Sequence, residues 1–278
     1  MGEFASAKGK FSSRHVDANG IRTHYLEAGS GPPLILIHGG GAGADCLSNW
    51  FRCIPAYARQ FRVLAVDLLG FGNTGKPDPS GFEYSQDARN LHMVAFIEAL
   101  GLKAVKLIGN SMGGATSIGV AIKRPELVDK VVLMGSAGLK TKVREALLPI
   151  MNYDYTREGM VKVCRTLANK SFAIDDDLID YRYQLSITPD ARNGYAATMA
   201  WIKKQAGLYY EEDFIRTLAR PTLVVNGKDD LVVPLENAYR FLELIPDSWG
   251  YIIPRCGHWA MLEYPDDFAS ETIRFLQS

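Results

Sequence analysis

The sequence predicts an α/β protein: a mostly parallel sheet flanked by helices and interrupted by a helical insertion. Three observations carry this. Short apolar runs at 34–37, 63–66, 105–108, 131–134, 223–225 and 251–253 suit strands buried on both faces. Helix-like stretches separate most of them, which is the alternation of a parallel sheet. The alternation stops between about 140 and 220, where helical patterns follow one another and no strong strand occurs. The expected units are a first core part at 12–139, a helical cap at 140–219 and a second core part at 220–278.

The elements follow in chain order. The segment Met1 to Ser6 lacks the apolar core of a signal peptide. Its Gly2-Glu3-Phe4 reads as a cloning remnant and is left out of the expected fold. Asn19-Gly20 separates two strand-like segments at 13–16 and 22–27, a pattern that favours a tight hairpin. The stretch 85–100 reads as a helix with Leu91, Val94, Ala95, Ile97 and Ala99 near one face. In the insertion, Pro149, Gly159, Pro189 and Gly194 are expected to punctuate helices, and Asp175-Asp176-Asp177 to open one, where carboxylates suit the positive end of the helix dipole. A second amphipathic helix is expected at 236–244, with Ala238, Phe241 and Leu242 inward. An insertion of this kind would cover the carboxyl ends of the strands, where ligands bind in α/β sheets.

Composition excludes several function classes. The 278 residues are 47% hydrophobic, enough for a sizeable core. Lys and Arg number 31, as do Asp and Glu, so nothing suggests electrostatic capture of nucleic acid or of an anionic membrane. No apolar run approaches the ~20 residues that span a bilayer. The four cysteines show neither C-x-x-C nor zinc spacing, and the expected state is reduced thiols in the cytoplasm. No H-E-x-x-H, no Gly-Lys-Ser/Thr and no G-x-G-x-x-G opening a helix is present, so neither metal nor nucleotide cofactor is expected.

The chemistry-bearing motif is Gly109-Asn110-Ser111-Met112-Gly113, directly after the run 105–108 and before a small-residue helix start. This is G-x-S-x-G in the strand-to-helix context of a nucleophile elbow, with Ser111 as nucleophile. A serine hydroxyl needs a base, and the base needs an orienting acid. The base candidate is His258, in Cys256-Gly257-His258-Trp259 after the last strand. The acid lies in Gly227-Lys228-Asp229-Asp230 after the strand before it. Asp229 suits a surface turn. The order Ser111, Asp230, His258 matches the serine, acid, histidine order of hydrolases built on such a sheet. His15, His24 and His92 have no comparable setting and are read as structural. An oxyanion hole needs backbone N–H donors. His38-Gly39-Gly40-Gly41 follows the strand at 34–37 and offers Gly40, and the residue after the nucleophile offers Met112.

These features resemble the meta-cleavage product hydrolases, a family of the α/β-hydrolase fold that cuts carbon–carbon bonds in ring-opened aromatic compounds. The resemblance is carried by the run from His38 to Gly43 with Ser48-Asn49-Trp50, by Gly109 to Thr116, by Leu133 to Leu139, by Gly227 to Asp230 and by Ser248 to Ala260. It covers about 12–276. It implies Asp230 as the acid, and a substrate of the 2-hydroxy-6-oxo-hexa-2,4-dienoate class. Asn49, Asn110 and Gly41 would contact the substrate, Arg182 would bind its carboxylate and Trp259 would line the site. Without the resemblance, Arg182 reads as a solvated helix residue, and Asn49 and Trp259 as packing. The resemblance also implies a homo-oligomer, a dimer or larger. Leu167, Ile150 and Trp201 are cap residues expected near the C6 substituent. A carboxylesterase on the same scaffold would share the triad, and a non-catalytic ligand-binding protein is the alternative from another class.

Overall fold

The computed structural model describes residues 2–140 and 145–278. Among the described residues, eight strands form one sheet in the order β1-β2-β4-β3-β5-β6-β7-β8. They are β1 Ser12–Ala18, β2 Ile21–Ala28, β3 Pro33–Ile37, β4 Arg62–Val66, β5 Val105–Asn110, β6 Val128–Met134, β7 Thr222–Gly227 and β8 Ser248–Ile253. The first two pair as an antiparallel hairpin, and β2 runs antiparallel to β4. From β4 to β8 every pairing is parallel. The expected α/β-hydrolase fold, a mostly parallel sheet between helices, is therefore what the chain adopts.

Local sequence explains the main elements. At the hairpin, Asn19 and Gly20 both take positive φ, 56° and 80°, the backbone that a two-residue turn of this hand requires. Leu34, Ile35, Leu36 and Ile37 are fully buried, as are Val63 to Val66, because helices cover both faces of the central strands. The chain leaves β3 to form β4 on one side and returns to form β5 on the other. The carboxyl ends of β3 and β5 thus flank a topological switch point, where an open α/β sheet leaves a crevice.

Between β6 and β7 the described chain is helical, with Arg157–Leu167, Asp176–Ser186 and Pro189–Lys204 as its longest members. Asp175 caps the second of these, its carboxylate accepting the N–H of Asp177 at 2.9 Å. Pro149 and Pro189 stand at helix starts as expected, but Gly159 and Gly194 lie inside helices. Gly194 is there for close approach: a Cβ at that position would come within 2.9 Å of the Gly70 carbonyl oxygen. No helix among the described residues is long and apolar enough to cross a membrane.

Two expectations are corrected. The helix Gln86–Ala99, capped by Ser85, buries Met93, Val94, Phe96 and Ile97 together with Arg89 and Asn90, whereas Leu91 is 56% exposed. Polar partners in the core, such as Tyr210 on Asn90 at 2.9 Å, let that polar face turn inward and leave Leu91 outside. The N-terminal segment is not outside the fold. Glu3–Ala7 is a short helix, and its Phe4 is fully buried between Phe51 and Tyr181, with ring centroids 5.1 and 5.0 Å away. Of the three histidines read as structural, two are buried with partners: His24 Nδ1 lies 2.7 Å from Asp67, and His92 Nε2 2.8 Å from the Thr23 hydroxyl; His15 is exposed.

Candidate active site

Ser111 stands between β5 and the helix Met112–Lys123, with φ 54° and ψ −116°. A β-carbon-bearing residue at positive φ is strained, and the flanking glycines permit it. A Cβ on Gly109 would lie 2.3 Å from the Gly113 carbonyl oxygen, and one on Gly113 would lie 2.2 Å from that of Ile37. The turn therefore needs glycine at both places. It lifts the Ser111 hydroxyl into a cavity of about 440 Å³, which His258 also lines.

His258 is held from behind. Its Nδ1 is 2.7 Å from Asp230 Oδ2, and both side chains are buried. The other carboxylate oxygen of Asp230 accepts the N–H groups of Val232 and Val233 at 2.8 and 2.9 Å. Asp229 points elsewhere, accepting from Asn169 Nδ2 at 2.9 Å. Of the two neighbouring carboxylates, only Asp230 reaches the histidine.

Gly39, Gly40, Gly41 and Met112 also line the cavity. The glycine loop lies on the elbow: a Cβ on Gly40 would meet Met112 Cε at 2.4 Å. His38 pins the start of this loop. Its Nε2 accepts the Leu68 N–H at 2.9 Å and its Nδ1 donates to the Gly39 carbonyl at 2.7 Å. Burial pushes its pKa down to about 4, so the ring is neutral, as one donor and one acceptor require. The N–H groups of Gly40 and Met112 have no acceptor among the described residues, and Met112 opens a helix whose positive end meets the cavity.

Arg182 is 1% exposed rather than solvated. Its guanidinium donates to the Ala42 carbonyl at 2.9 Å and to Ser48 Oγ and Asn49 Oδ1 at 3.4 Å, and lies 5.3 Å from the Trp259 ring centroid. Among the described residues no carboxylate pairs with it, and its Nε has no partner. Asn49 passes the chain on, donating to Asn110 Oδ1 at 3.3 Å; Asn110 donates to the Met134 carbonyl at 3.1 Å and to that of His258 at 3.4 Å. Asn49, Asn110, Arg182 and Trp259 all line the cavity. A buried cation without a counter-ion is expensive, and here it faces open space beside Ser111. That arrangement suits an anionic ligand. Leu167 and Ile150 line the cavity as expected. Trp201 does not: its ring lies 5.7 Å from the buried guanidinium of Arg89, to which it supplies a π face.

Comparisons with known proteins bear on the family. Residues 32–265 match the alpha/beta hydrolase fold family. The chain is 55% identical to 2-hydroxy-6-oxo-6-(2'-aminophenyl)hexa-2,4-dienoic acid hydrolase of Metapseudomonas resinovorans, over 96% of this chain and 91% of that one. Among solved structures it resembles a serine hydrolase of carbazole degradation, the CarC enzyme, with TM-score 0.89, 53% identity and coverage of 96% and 99%. It also resembles a meta-cleavage product hydrolase of Pseudomonas fluorescens IP01, with TM-score 0.89, 33% identity and coverage of 96% and 98%. The chain belongs to the meta-cleavage product hydrolases.

Two residues of this hydrolase that its sequence did not single out shape the site. Gly135, one residue past β6 at φ 48°, backs the His258–Asp230 pair: a Cβ there would lie 2.9 Å from His258 Nδ1 and 3.0 Å from Asp230 Oδ2. It sits in the stretch Leu133 to Leu139 that carries the resemblance, but one glycine after a strand has no signal of its own. Gly135→Ala is expected to lower kcat by about 10² or more, since a displacement of ~1 Å in a catalytic group costs that much. Steady-state kinetics with an unchanged circular dichroism spectrum would check it; wild-type kcat would show that the pair tolerates the methyl. Glu263 is the second. Its carboxylate accepts the N–H groups of Gly257, Trp259 and Asn169 at 2.9 to 3.2 Å. It clamps the histidine loop on both sides of His258 and ties it to the end of the helix Arg157–Leu167, whose Leu167 carbonyl accepts the His258 N–H at 2.8 Å. Burial raises its pKa against the pull of those N–H groups. The only sequence signal was a glutamate one turn beyond Gly257-His258-Trp259.

Proposed function

We propose that the protein hydrolyses the C5–C6 carbon–carbon bond of 2-hydroxy-6-oxo-hexa-2,4-dienoates with an aryl group at C6. The observation that carries the reading is Arg182, a buried cation without a carboxylate partner among the described residues, lining the same cavity as Ser111 and His258. The name of the 55% identical relative supports the aryl dienoate.

In this reading Arg182 holds the C1 carboxylate, and a planar guanidinium suits it. Asn49, Asn110, Gly41 and Trp259 border the dienoate. The dienol first becomes its keto tautomer, which turns the C1–C5 fragment into a leaving group with an electron sink. His258 takes the Ser111 proton as the serine oxygen attacks the C6 ketone, and Asp230 stabilises the resulting imidazolium. The N–H groups of Gly40 and Met112 receive the negative charge on the C6 oxygen. C5 gains its proton in that tautomerisation; collapse of the oxyanion then breaks C5–C6, the electrons of that bond pass along the chain to the C2 ketone oxygen, which takes a proton to become the 2-hydroxy group, and the acyl group stays on Ser111. Water activated by His258 then releases it. The products are 2-hydroxypenta-2,4-dienoate and a carboxylic acid, aromatic when C6 carries an aryl ring. The segment 140–219 acts as the cap, because its described residues supply Arg182 and much of the apolar wall. The working form is an assembly of two or more copies in the cytoplasm; the exposed Trp249 on the edge strand β8 supports association there.

The test is a direct comparison of substrates. A ring-fission dienoate, followed by loss of its visible absorbance, is expected to be turned over far faster than a p-nitrophenyl ester. The reverse ranking would make the protein a carboxylesterase.

A further inference from the structure

We propose that Asn237 recognises a hydrogen-bonding substituent on the C6 aryl ring, an amino or hydroxyl group. This rests on the dienoate reading above and adds a specificity-determining residue to it. Asn237 lies in the first turn of the helix Leu235–Leu244, is 7% exposed and lines the cavity that Ser111 and His258 line. Several of the other buried polar side chains of that cavity have side-chain partners. Arg182 bonds Asn49, Asn49 bonds Asn110, and His258 bonds Asp230. Lys203 also lines the cavity but is exposed to solvent. The Asn237 carboxamide has no hydrogen-bond partner among the described residues; its backbone N–H donates to the Pro234 carbonyl at 2.9 Å. Nor is it needed as a helix cap, since it stands three residues beyond the cap residue Pro234.

The sheet order says which part of the substrate it meets. Arg182 is bonded to the loop after β3, Ser111 follows β5, and Asn237 belongs to the helix after β7. With β3-β5-β6-β7 side by side, Arg182 and Asn237 lie on opposite sides of Ser111. A substrate with its carboxylate on Arg182 and its C6 ketone at Ser111 sends its C6 substituent toward Asn237. Its near chain neighbours Val232 and Val233 line the cavity as well, and the lining also includes the apolar Met199 and Leu208. In such a wall a carboxamide both accepts from an amine N–H and donates to a hydroxyl oxygen. A plain ring would cover it and leave it unpaired, which disfavours that ring.

The experiment compares two dienoates of equal bulk, with 2′-aminophenyl and 2′-methylphenyl at C6, on the wild-type enzyme and on Asn237→Leu and Asn237→Ala. Run in competition, the ratio of their kcat/KM values does not depend on how much of a variant is folded. The expected wild-type preference for the amino substrate is about tenfold, the weight of one well-made hydrogen bond, and both variants erase it. No wild-type preference, or a preference that survives in both variants, overturns the assignment of Asn237. Turnover of neither dienoate by the wild-type enzyme, with turnover of p-nitrophenyl acetate, overturns the dienoate reading itself.

Discussion

Ser111→Ala is expected to lower turnover of a dienoate by about 10⁶ while the variant still binds it, and Asp230→Asn to lower kcat by about 10⁴. The first change removes the only hydroxyl at the elbow. The second acts through a proton. Asp230 Oδ1 accepts two backbone N–H groups, from Val232 and Val233, and Oδ2 faces His258 Nδ1. An asparagine must keep its oxygen toward those two N–H groups, so its NH₂ turns to the histidine. His258 Nδ1 then has to accept, its proton moves to Nε2, and the atom that should take the Ser111 proton is already protonated. Asp229→Asn, one residue away and bonded to Asn169 instead, is expected to stay within about threefold of wild type because its carboxylate does not reach His258 and an amide oxygen can still accept from Asn169. Single-turnover absorbance measurements separate binding from cleavage in all three variants. Near-wild-type cleavage by Ser111→Ala, or equal losses in Asp229→Asn and Asp230→Asn, would remove these residues from the mechanism.

What was legible in the sequence divides along a physical line. Strands buried on both faces write themselves as apolar runs, and glycines forced by backbone contact write themselves as motifs; hence the sheet, the hairpin turn and the elbow could be read directly. Asp230 was separable from Asp229 by resemblance, and the geometry shows why the two differ: only one carboxylate lies below the histidine ring. Residues whose role depends on what another segment brings to them were not legible. Leu91 reads as core because it is leucine, yet Tyr210, 120 residues away, makes the polar face of that helix the buried one. Gly135 and Asn237 belong to the same class: His258 and Asp230 come to the first from distant segments, and the cavity to the second, and no local spacing announces either. Glu263 had only its spacing from Gly257 and Trp259 to mark it. Phe4 was discounted as a remnant because its burial depends on Tyr181, which lies far along the chain.

Arg182→Met is expected to reduce kcat/KM for carboxylate-bearing dienoates by about 10² and to leave neutral esters nearly untouched. Two charge-assisted hydrogen bonds at about 1.5 kcal/mol each amount to ~3 kcal/mol, or about two powers of ten. Methionine keeps an unbranched stem against the Trp259 ring, so the comparison isolates the charge. The same substitution carries a second, opposite expectation for stability. The guanidinium is buried, lacks a counter-carboxylate among the described residues and leaves its Nε unpaired, so the free enzyme holds it at a desolvation cost. Removing it should leave the melting temperature of the ligand-free protein unchanged or raise it, even though the Ala42 carbonyl loses its partner at the cavity edge. A drop in activity on dienoates joined to a held or higher melting temperature is the pattern of a residue kept for its ligand. Equal losses on dienoates and esters, together with a lower melting temperature, would instead make Arg182 a strut between the segment bearing it and the loop after β3, and the carboxylate would need another partner in the cavity.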